Sequence, residues 1–157
     1  MDIIPKVIIN DNSYAEKTIF HLLKRMDYHA HAVALHSLNC SEHDYKQWSE
    51  IDFCLLLPEG IFVLEVKGGH VSHRNGIWQF SGQNRRGSSK EGPFKQASSA
   101  RYSLEKILEK KFKFDRKLRR WPICFGWGVI MPDTTWQYDT VEMPKDVVAD
   151  KAICSSL

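Results

Sequence analysis

The chain has 157 residues, of which 43% are hydrophobic and 26% are charged, and its formal net charge is only +3. This length and composition predict one folded domain over residues 1–157, with its own hydrophobic core, and they exclude a disordered chain. The longest unbroken apolar runs, residues 53–57 and 61–64, are too short to cross a membrane, and the N-terminus lacks the basic and apolar stretches of a signal peptide.

The cysteines are scattered along the chain and form no Cys-x-x-Cys pair. Neither a disulfide framework nor a structural zinc site is indicated. We therefore expect reduced thiols, a cytoplasmic location and no membrane partner. The cysteines in question are Cys40, Cys54, Cys124 and Cys154.

The N-terminal part of the chain predicts a helix followed by a strand. Ser13 followed by Glu16 has the spacing of a capping box, in which two side chains satisfy free N–H groups at the start of a helix. Apolar residues then recur at helical spacing, which predicts a helix over residues 14–27. Residues 30–38 alternate between two faces, as a half-buried strand does, and residues 39–48 predict a polar loop.

The centre of the chain predicts two hairpins. Residues 49–57 and 61–67 are β-rich runs on either side of Pro58-Glu59-Gly60, which is a strong turn signal. A second pair of short strands flanks Asn75-Gly76, a favoured two-residue hairpin turn.

The remainder predicts a loop, a helix and a strand. Residues 81–92 are rich in Gly, Ser, Arg and Lys and predict a mobile loop. Pro93 suits the first turn of a second helix, which extends to about residue 113. Residues 123–131 predict a buried strand, and the tail from Pro132 has no clear pattern. This order of elements predicts an α/β or α+β domain with a mixed sheet.

The predicted hairpin of residues 49–67 carries a cluster of charges. With a two-residue turn, Asp52 lies opposite Glu65, and Glu50 lies opposite Lys67. Residues two apart share a face, so these four side chains meet on one face at one end of the hairpin, with opposed Cβ atoms about 4.5–5.5 Å apart. The other face is apolar and suits packing against a helix.

Two interpretations of this cluster stay open. Neighbouring carboxylates repel, so one of them holds its proton unless a cation intervenes. Mg²⁺ prefers oxygen ligands and often takes only one or two carboxylates, so Asp52 and Glu65 are candidate ligands. Lys67 beside them is then a candidate to orient a water or to neutralise charge on a phosphate. The alternative is a solvated strand end with cross-strand ion pairs, and a three-residue turn would shift the pairing.

The residues of this cluster resemble the motif of a known family. Asp52, followed after twelve residues by Glu65-x-Lys67, is similar to the signature of the PD-(D/E)xK nucleases. The runs at residues 50–53 and 60–68 are closer still to the nuclease-related domain (NERD) branch of that superfamily. Gly76-Ile77-Trp78 and Gly92-Pro93-Phe94-Lys95-Gln96-Ala97 follow in the order of that family's motifs, so the resemblance covers about residues 13–148.

The resemblance implies an α/β fold, in which a central mixed sheet flanked by helices forms a restriction-endonuclease-like core. It also implies hydrolysis of phosphodiester bonds, with DNA as the expected substrate and Mg²⁺ or Mn²⁺ as the cofactor. The residues that match the family's site are the metal ligands Asp52, Glu65 and the Val66 carbonyl, the catalytic Lys67, the first-helix acid Glu16 and the second-helix Gln96.

The two helix residues also have simpler interpretations. Glu16 borders the inward-facing stripe of the first helix and can complete the metal site, but it is also the acid of the capping box, which needs no metal. Gln96 lies in the first turn of the second helix, where polar side chains often cap the helix. As a functional residue it would support Lys67.

Basic residues are concentrated in two places. Residues 106–120 hold eight cations and two acids, a local net charge of +6, and residues 81–92 hold further cations. Both suit phosphate tracking, and the first also suits a solvated helix end. His70 and His73 follow the strand of Lys67 closely, so a substrate contact stays open beside a surface role. The candidate nucleic-acid contacts are Arg85, Arg86, Lys90, Lys110, Lys111 and Lys113.

Two alternatives to a nuclease stay open. One is a catalytically silent module that would bind DNA equally well with and without Mg²⁺ or Mn²⁺. The other is a sensor or assembly domain, the N-terminal part of a longer polypeptide, because NERD-like domains commonly precede helicase or kinase domains. RNA in place of DNA and a homo-oligomeric state also stay open.

Overall fold

A computed structural model of the chain describes residues 1–8, 13–28, 31–40, 49–82, 86–112 and 123–156. The described residues form helices, strands and one short 3₁₀ turn at Lys145–Val147. In chain order the helices and strands are β1 (Asp2–Ile4), α1 (Tyr14–Arg25), β2 (Val33–Cys40), β3 (Ser49–Leu57), β4 (Gly60–Val66), β5 (His70–Arg74), β6 (Ile77–Ser81), β7 (Arg86–Ser89), α2 (Pro93–Phe112), β8 (Cys124–Met131), β9 (Val148–Asp150) and α3 (Lys151–Ser156).

A mixed six-stranded sheet forms the centre of the fold, in the order β1-β2-β3-β4-β8-β9. The chain runs antiparallel through β2, β3 and β4, whereas β1 beside β2, β8 beside β4 and β9 beside β8 are parallel. Strands β5, β6 and β7 form a separate antiparallel sheet. The mixed sheet confirms the predicted fold class.

Helices α1 and α2 pack against apolar side chains from opposite faces of β3 and β4. Ile19 of α1 lies in one cluster with Phe53, which is 0% exposed. Ala100 and Leu104 of α2 lie in a second cluster with Cys54, the neighbour of Phe53 along β3. Successive side chains of a strand point to opposite faces, so the two helices cover two sides of the hairpin. Truncating a side chain as buried as Phe53 to alanine costs about 3–5 kcal/mol.

The hairpin of β3 and β4 has the predicted register. Its pairing runs from Leu57–Gly60 to Phe53–Leu64. Gly60 suits this turn because its φ is +153°, and because a Cβ there would collide with the carbonyl of Cys124 on β8. The predicted turn therefore also sets how closely β8 approaches β4.

The second hairpin is confirmed, but the loop predicted after it is only partly correct. Asn75 and Gly76 have φ values of 51° and 73°, as a type I′ turn between β5 and β6 requires. Within the predicted loop over residues 81–92, Arg86–Ser89 instead forms strand β7 and pairs with β6. Cross-strand pairing with β6 provides the order that the local Arg-Gly-Ser-Ser composition does not indicate.

The two ends of the central sheet were not predicted. Strand β1 pairs with β2, and β9 with the following α3 emerges from the tail that has no clear sequence pattern. Strand β2 extends to Cys40, so the predicted loop begins after residue 40, and its residues 41–48 lie outside the described residues. None of the described helices is long and apolar enough to cross a membrane.

Candidate active site

The site lies where β3 and β4 stop pairing. The ladder ends at Phe53–Leu64, one residue before the predicted pair of Asp52 and Glu65. The Asp52 carboxylate accepts a hydrogen bond of 2.7 Å from the backbone N–H of Val66 instead. A side chain thus takes the place of a backbone partner, and it ties the carboxylate of Asp52 to the end of β4.

Strand β2 is irregular on the other side of Asp52. Pairs His36–Phe53 and Leu38–Ile51 flank the position where Ser37 would face Asp52. Ser37 has a φ of 53°, in the left-handed region. Such a conformation costs a non-glycine residue on the order of 1–3 kcal/mol, and such strain often occurs at functional sites. The irregularity therefore adds a second indication that this part of the sheet serves more than packing.

Lys67 pairs with Glu65 rather than with Glu50. Its Nζ lies 2.5 Å from Glu65 Oε1, and the two side chains are 27% and 10% exposed. The expected cross-strand pair with Glu50 would require the hairpin ladder to continue, and the ladder ends before it reaches these residues. The backbone of Lys67 is held as well, because its N–H donates to the carbonyl of Ile130 on β8 at 2.9 Å. Lys67 is therefore fixed beside the carboxylates at both its backbone and its ammonium.

The acidic side chains perturb one another. Burial raises the pKa of Asp52 to about 7, the nearby Glu65 carboxylate adds to the rise, and the hydrogen bond from Val66 opposes it. Burial also raises the pKa of Glu65, and the Lys67 ammonium opposes that rise. Glu16 raises the pKa of both carboxyls. The predicted conflict between neighbouring carboxylates is therefore present, and a cation placed among them would relieve it.

Glu16 reaches the site from the first turn of α1. Its N–H donates to Ser13 Oγ at 3.3 Å, which is the predicted helix cap. Its carboxylate faces inward, with Oε2 at 3.4 Å from His36 Nε2. The first turn of α1 is also close to the end of β4, because a Cβ at Gly68 would lie 2.7 Å from that of Ala15. The close approach of α1 to Gly68 brings Glu16 toward the two sheet carboxylates.

His36 is a residue of this site that was not predicted from the sequence. Its side chain is 1% exposed. Its ring centroid is 4.7 Å from that of Phe53 and 5.6 Å from that of Phe20, and its Nδ1 is buried with no hydrogen-bond partner among the described residues. In the alternating strand His36 shares a face with the small apolar Ala34, which is 0% exposed. That alternation is the signal that predicts a buried histidine at this position.

Gln96 lies in the first turn of α2, as predicted, and its Oε1 is buried with no hydrogen-bond partner among the described residues. No described contact joins it to Asp52, Glu65 or Lys67. A buried amide oxygen without a partner is costly, so this position fits a residue that acquires a partner when substrate or water binds.

The predicted nucleic-acid contacts are only partly described. Arg86 and Lys90 are exposed at β7 and just beyond it, and Lys110 and Lys111 are exposed in the last turn of α2. Arg85, Lys113 and the rest of the basic segment to residue 120 lie outside the described residues.

The donor atoms fit a hard divalent cation that keeps some of its water. In an extended strand the N–H and C=O of one residue point to the same side, so the Val66 carbonyl points to the side on which Asp52 binds its N–H. Within the described ranges no three His, Cys, Asp or Glu side chains are close enough to hold an ion by themselves. Two carboxylates and a carbonyl, completed by water and substrate oxygens, suit Mg²⁺ or Mn²⁺ rather than zinc.

A family model described as a nuclease-related domain (NERD) matches residues 11–124, which is more than half of the chain and includes Glu16, Asp52, Glu65, Lys67 and Gln96. Neither the curated proteins nor the solved structures gave a match.

Proposed function

We propose that this chain, which belongs to the nuclease-related domain family, hydrolyses phosphodiester bonds of nucleic acid with the help of a divalent cation, and that DNA is its substrate. The observation that carries the proposal is the junction of β3 and β4. There Asp52 is bound to the N–H of Val66, and Glu65, one residue before Val66, is bound to Lys67. An ordinary strand end does not need a buried and a half-buried carboxylate at one point, whereas two such carboxylates suit a metal site.

Asp52, Glu65 and the carbonyl of Val66 would hold Mg²⁺ or Mn²⁺, and Glu16 would complete the site directly or through water. A bound ion would supply Lewis-acid stabilisation of a phosphate oxygen and would lower the pKa of a water molecule. The raised pKa of Asp52 supports this assignment, because a carboxylate with an elevated pKa gains most when a cation replaces its proton.

Lys67 would supply a positive charge from the protein itself, in addition to the charge of the metal ion. Its ammonium is oriented by Glu65 Oε1 at 2.5 Å, and its backbone is fixed by β8. An ammonium in this place can donate a hydrogen bond to an attacking water or to a phosphate oxygen on which negative charge develops. Gln96, whose buried Oε1 has no hydrogen-bond partner in the described part of the chain, would hold the same water from the side of α2.

Variants at Lys67 test this function. We would incubate the protein with labelled single- and double-stranded DNA and RNA, with Mg²⁺, Mn²⁺ or chelator, and measure cleavage rate, affinity and melting temperature. Lys67→Ala should lower the cleavage rate about a hundredfold or more, the scale of losing one transition-state donor, while DNA affinity stays nearly unchanged. Lys67→Arg should not restore the rate, because a broad guanidinium does not replace a compact ammonium.

Lys24→Ala is the matched control, because Lys24 is an exposed lysine in the last turn of α1, at the end of the helix opposite to Glu16. This variant should cleave like the wild type. Full cleavage by Lys67→Ala would refute the mechanism. Wild-type protein that binds DNA with any of these metals but never cleaves it would refute the nuclease and favour the silent binding module.

A further inference from the structure

The small sheet of β5, β6 and β7 has one face that holds it against the rest of the protein. Val71 and Trp78 point to this inner face and share a cluster with Phe94 of α2 and with Trp136. The rings of Trp78 and Trp136 stack at 5.7 Å with an angle of 10° between their planes. The backbone at Gly92 touches the Trp78 ring so closely that a Cβ there would collide with it. The inner face therefore fixes the position of the small sheet.

Apart from the exposed Ile77, the outward face of this sheet is polar and basic, and it carries no acidic side chain. The register places its residues in three rows across the strands, and every one of them is exposed or half-buried. Neither arginine of this face forms an ion pair with a described residue. The rows are His70, Ser81 and Arg86, then Ser72, Gln79 and Ser88, then Arg74 and Ile77.

This face begins close to the candidate active site. Only Gly68 and Gly69 separate Lys67 from His70, and three residues of extended chain span at most about 11 Å. The connection is held in place, because the N–H of Gly69 donates to Asp133 Oδ2 at 2.7 Å. The first row of the outward face thus lies within about three nucleotides, at 3.4 Å each, of a phosphate bound beside Lys67.

We propose that this outward face, from His70 to Arg74 and Arg86, is a docking platform for the sugar–phosphate backbone of the nucleic acid that extends from the active site. The inference rests on the proposed function, and it specifies which surface holds the part of the substrate beyond the cleaved bond. Arginine side chains bind phosphate oxygens bidentately, and hydroxyl and amide groups are the usual supplementary backbone contacts. Rows about 7 Å apart give a platform about 14 Å long, which matches about four nucleotides at 3.4 Å each.

The contacts of this platform are to phosphate and not to base edges. Because phosphate contacts carry no sequence information, we expect binding that is independent of base sequence and steeply dependent on salt.

The test is the variant Arg74→Ser with Arg86→Ser, measured with a fluorescent DNA duplex in chelator at several salt concentrations. Each lost phosphate contact should reduce the slope of log affinity against log salt by about 0.9, so the slope should fall by about 2 and the affinity at 0.1 M salt by roughly tenfold to a hundredfold. Arg74→Lys with Arg86→Lys keeps the charges and should keep the slope. Lys6→Ala with Lys24→Ala removes the same charge from exposed positions near the N-terminus and should leave the slope unchanged.

Each outcome decides the proposal. If the wild type binds and cleaves DNA and the double serine variant has the wild-type slope and affinity, the platform is refuted while the nuclease stands. If the wild type neither binds nor cleaves nucleic acid, both proposals fail. If the two arginines govern binding of poly-glutamate but not of DNA, the surface serves an acidic protein and the platform is refuted. If the double variant does not fold, each single serine variant should show about half of the expected decrease in slope. A single variant that keeps the wild-type slope would overturn the proposal.

Discussion

Replacing Asp52 by asparagine should stabilise the metal-free protein at pH 8. A carboxyl with a pKa of about 7 in the folded state and an ordinary value of 3.8 when unfolded makes the ionised protein less stable by about 4 kcal/mol. Asparagine is neutral at every pH, and its Oδ1 can still accept the hydrogen bond from Val66. Because the amide must also be buried, we expect Asp52→Asn to gain about 2–4 kcal/mol at pH 8 in chelator.

The stability gained by Asp52→Asn should increase with pH. Because the folded-state pKa of Asp52 is raised, the stability of the wild type is fully present below about pH 4 and is lost as the pH rises through about 7. Asp52→Asn lacks this loss, so its advantage should vanish near pH 4 and reach its full size above pH 7. Urea unfolding in chelator across this range measures the difference directly.

Asp146→Asn removes an exposed carboxylate and is the matched control, with no advantage expected beyond about 0.5 kcal/mol at either end of the pH range. An Asp52→Asn protein that is no more stable than the wild type at pH 8, or whose advantage does not change with pH, would refute the argument that Asp52 is held against its electrostatic preference.

Millimolar Mn²⁺ should raise the melting temperature of the wild type by linkage and leave that of Asp52→Ala unchanged, and an unchanged wild type or an equal shift in both would count against the metal site. Gly68→Ala should cost about 1–3 kcal/mol in urea unfolding, because its methyl group would lie 2.7 Å from Ala15 Cβ, whereas a Cβ at Gly87 meets nothing within 4 Å and Gly87→Ala should cost clearly less; equal costs would contradict this. His36→Phe keeps a buried ring but loses the contact with Glu16, so calorimetry should show Mn²⁺ affinity about tenfold weaker with a similar melting temperature, and unchanged affinity would reduce His36 to a packing role.

The hairpin that carries the site could be predicted in detail because two local signals agree there. The Pro58-Glu59-Gly60 turn fixes the loop length, and the alternation of apolar and polar residues fixes which side chains share a face. The register from Leu57–Gly60 to Phe53–Leu64 is confirmed. The local sequence pattern does not predict where two paired strands separate, because this depends on the neighbouring strands. For that reason Lys67 was expected beside Glu50, although its ammonium is bound by Glu65.

The strands that were not predicted from the sequence are ordered by contacts with other parts of the chain. Strand β7 has a sequence of low β-propensity and exists because β6 offers it a paired edge. The short β9 is placed by β8, and Asp150 at its end accepts hydrogen bonds from Trp136 before it and from Ala152 and Ile153 after it. A three-residue strand gives no periodicity to detect, so such an element becomes visible only with its tertiary contacts.

The parallel pairing of β4 with β8 has a consequence for how the protein folds. β4 is joined to β3 by a two-residue turn, whereas it meets β8 from Gly60–Cys124 to Val66–Ile130, across a long intervening chain. Local hairpins close within microseconds, and contacts between distant segments form late because of their loop-closure entropy. We therefore expect β3 and β4 to pair before β8 arrives. A chain still being synthesised, with residues up to 112 available, would then expose the edge of the strand that holds Glu65 to other chains.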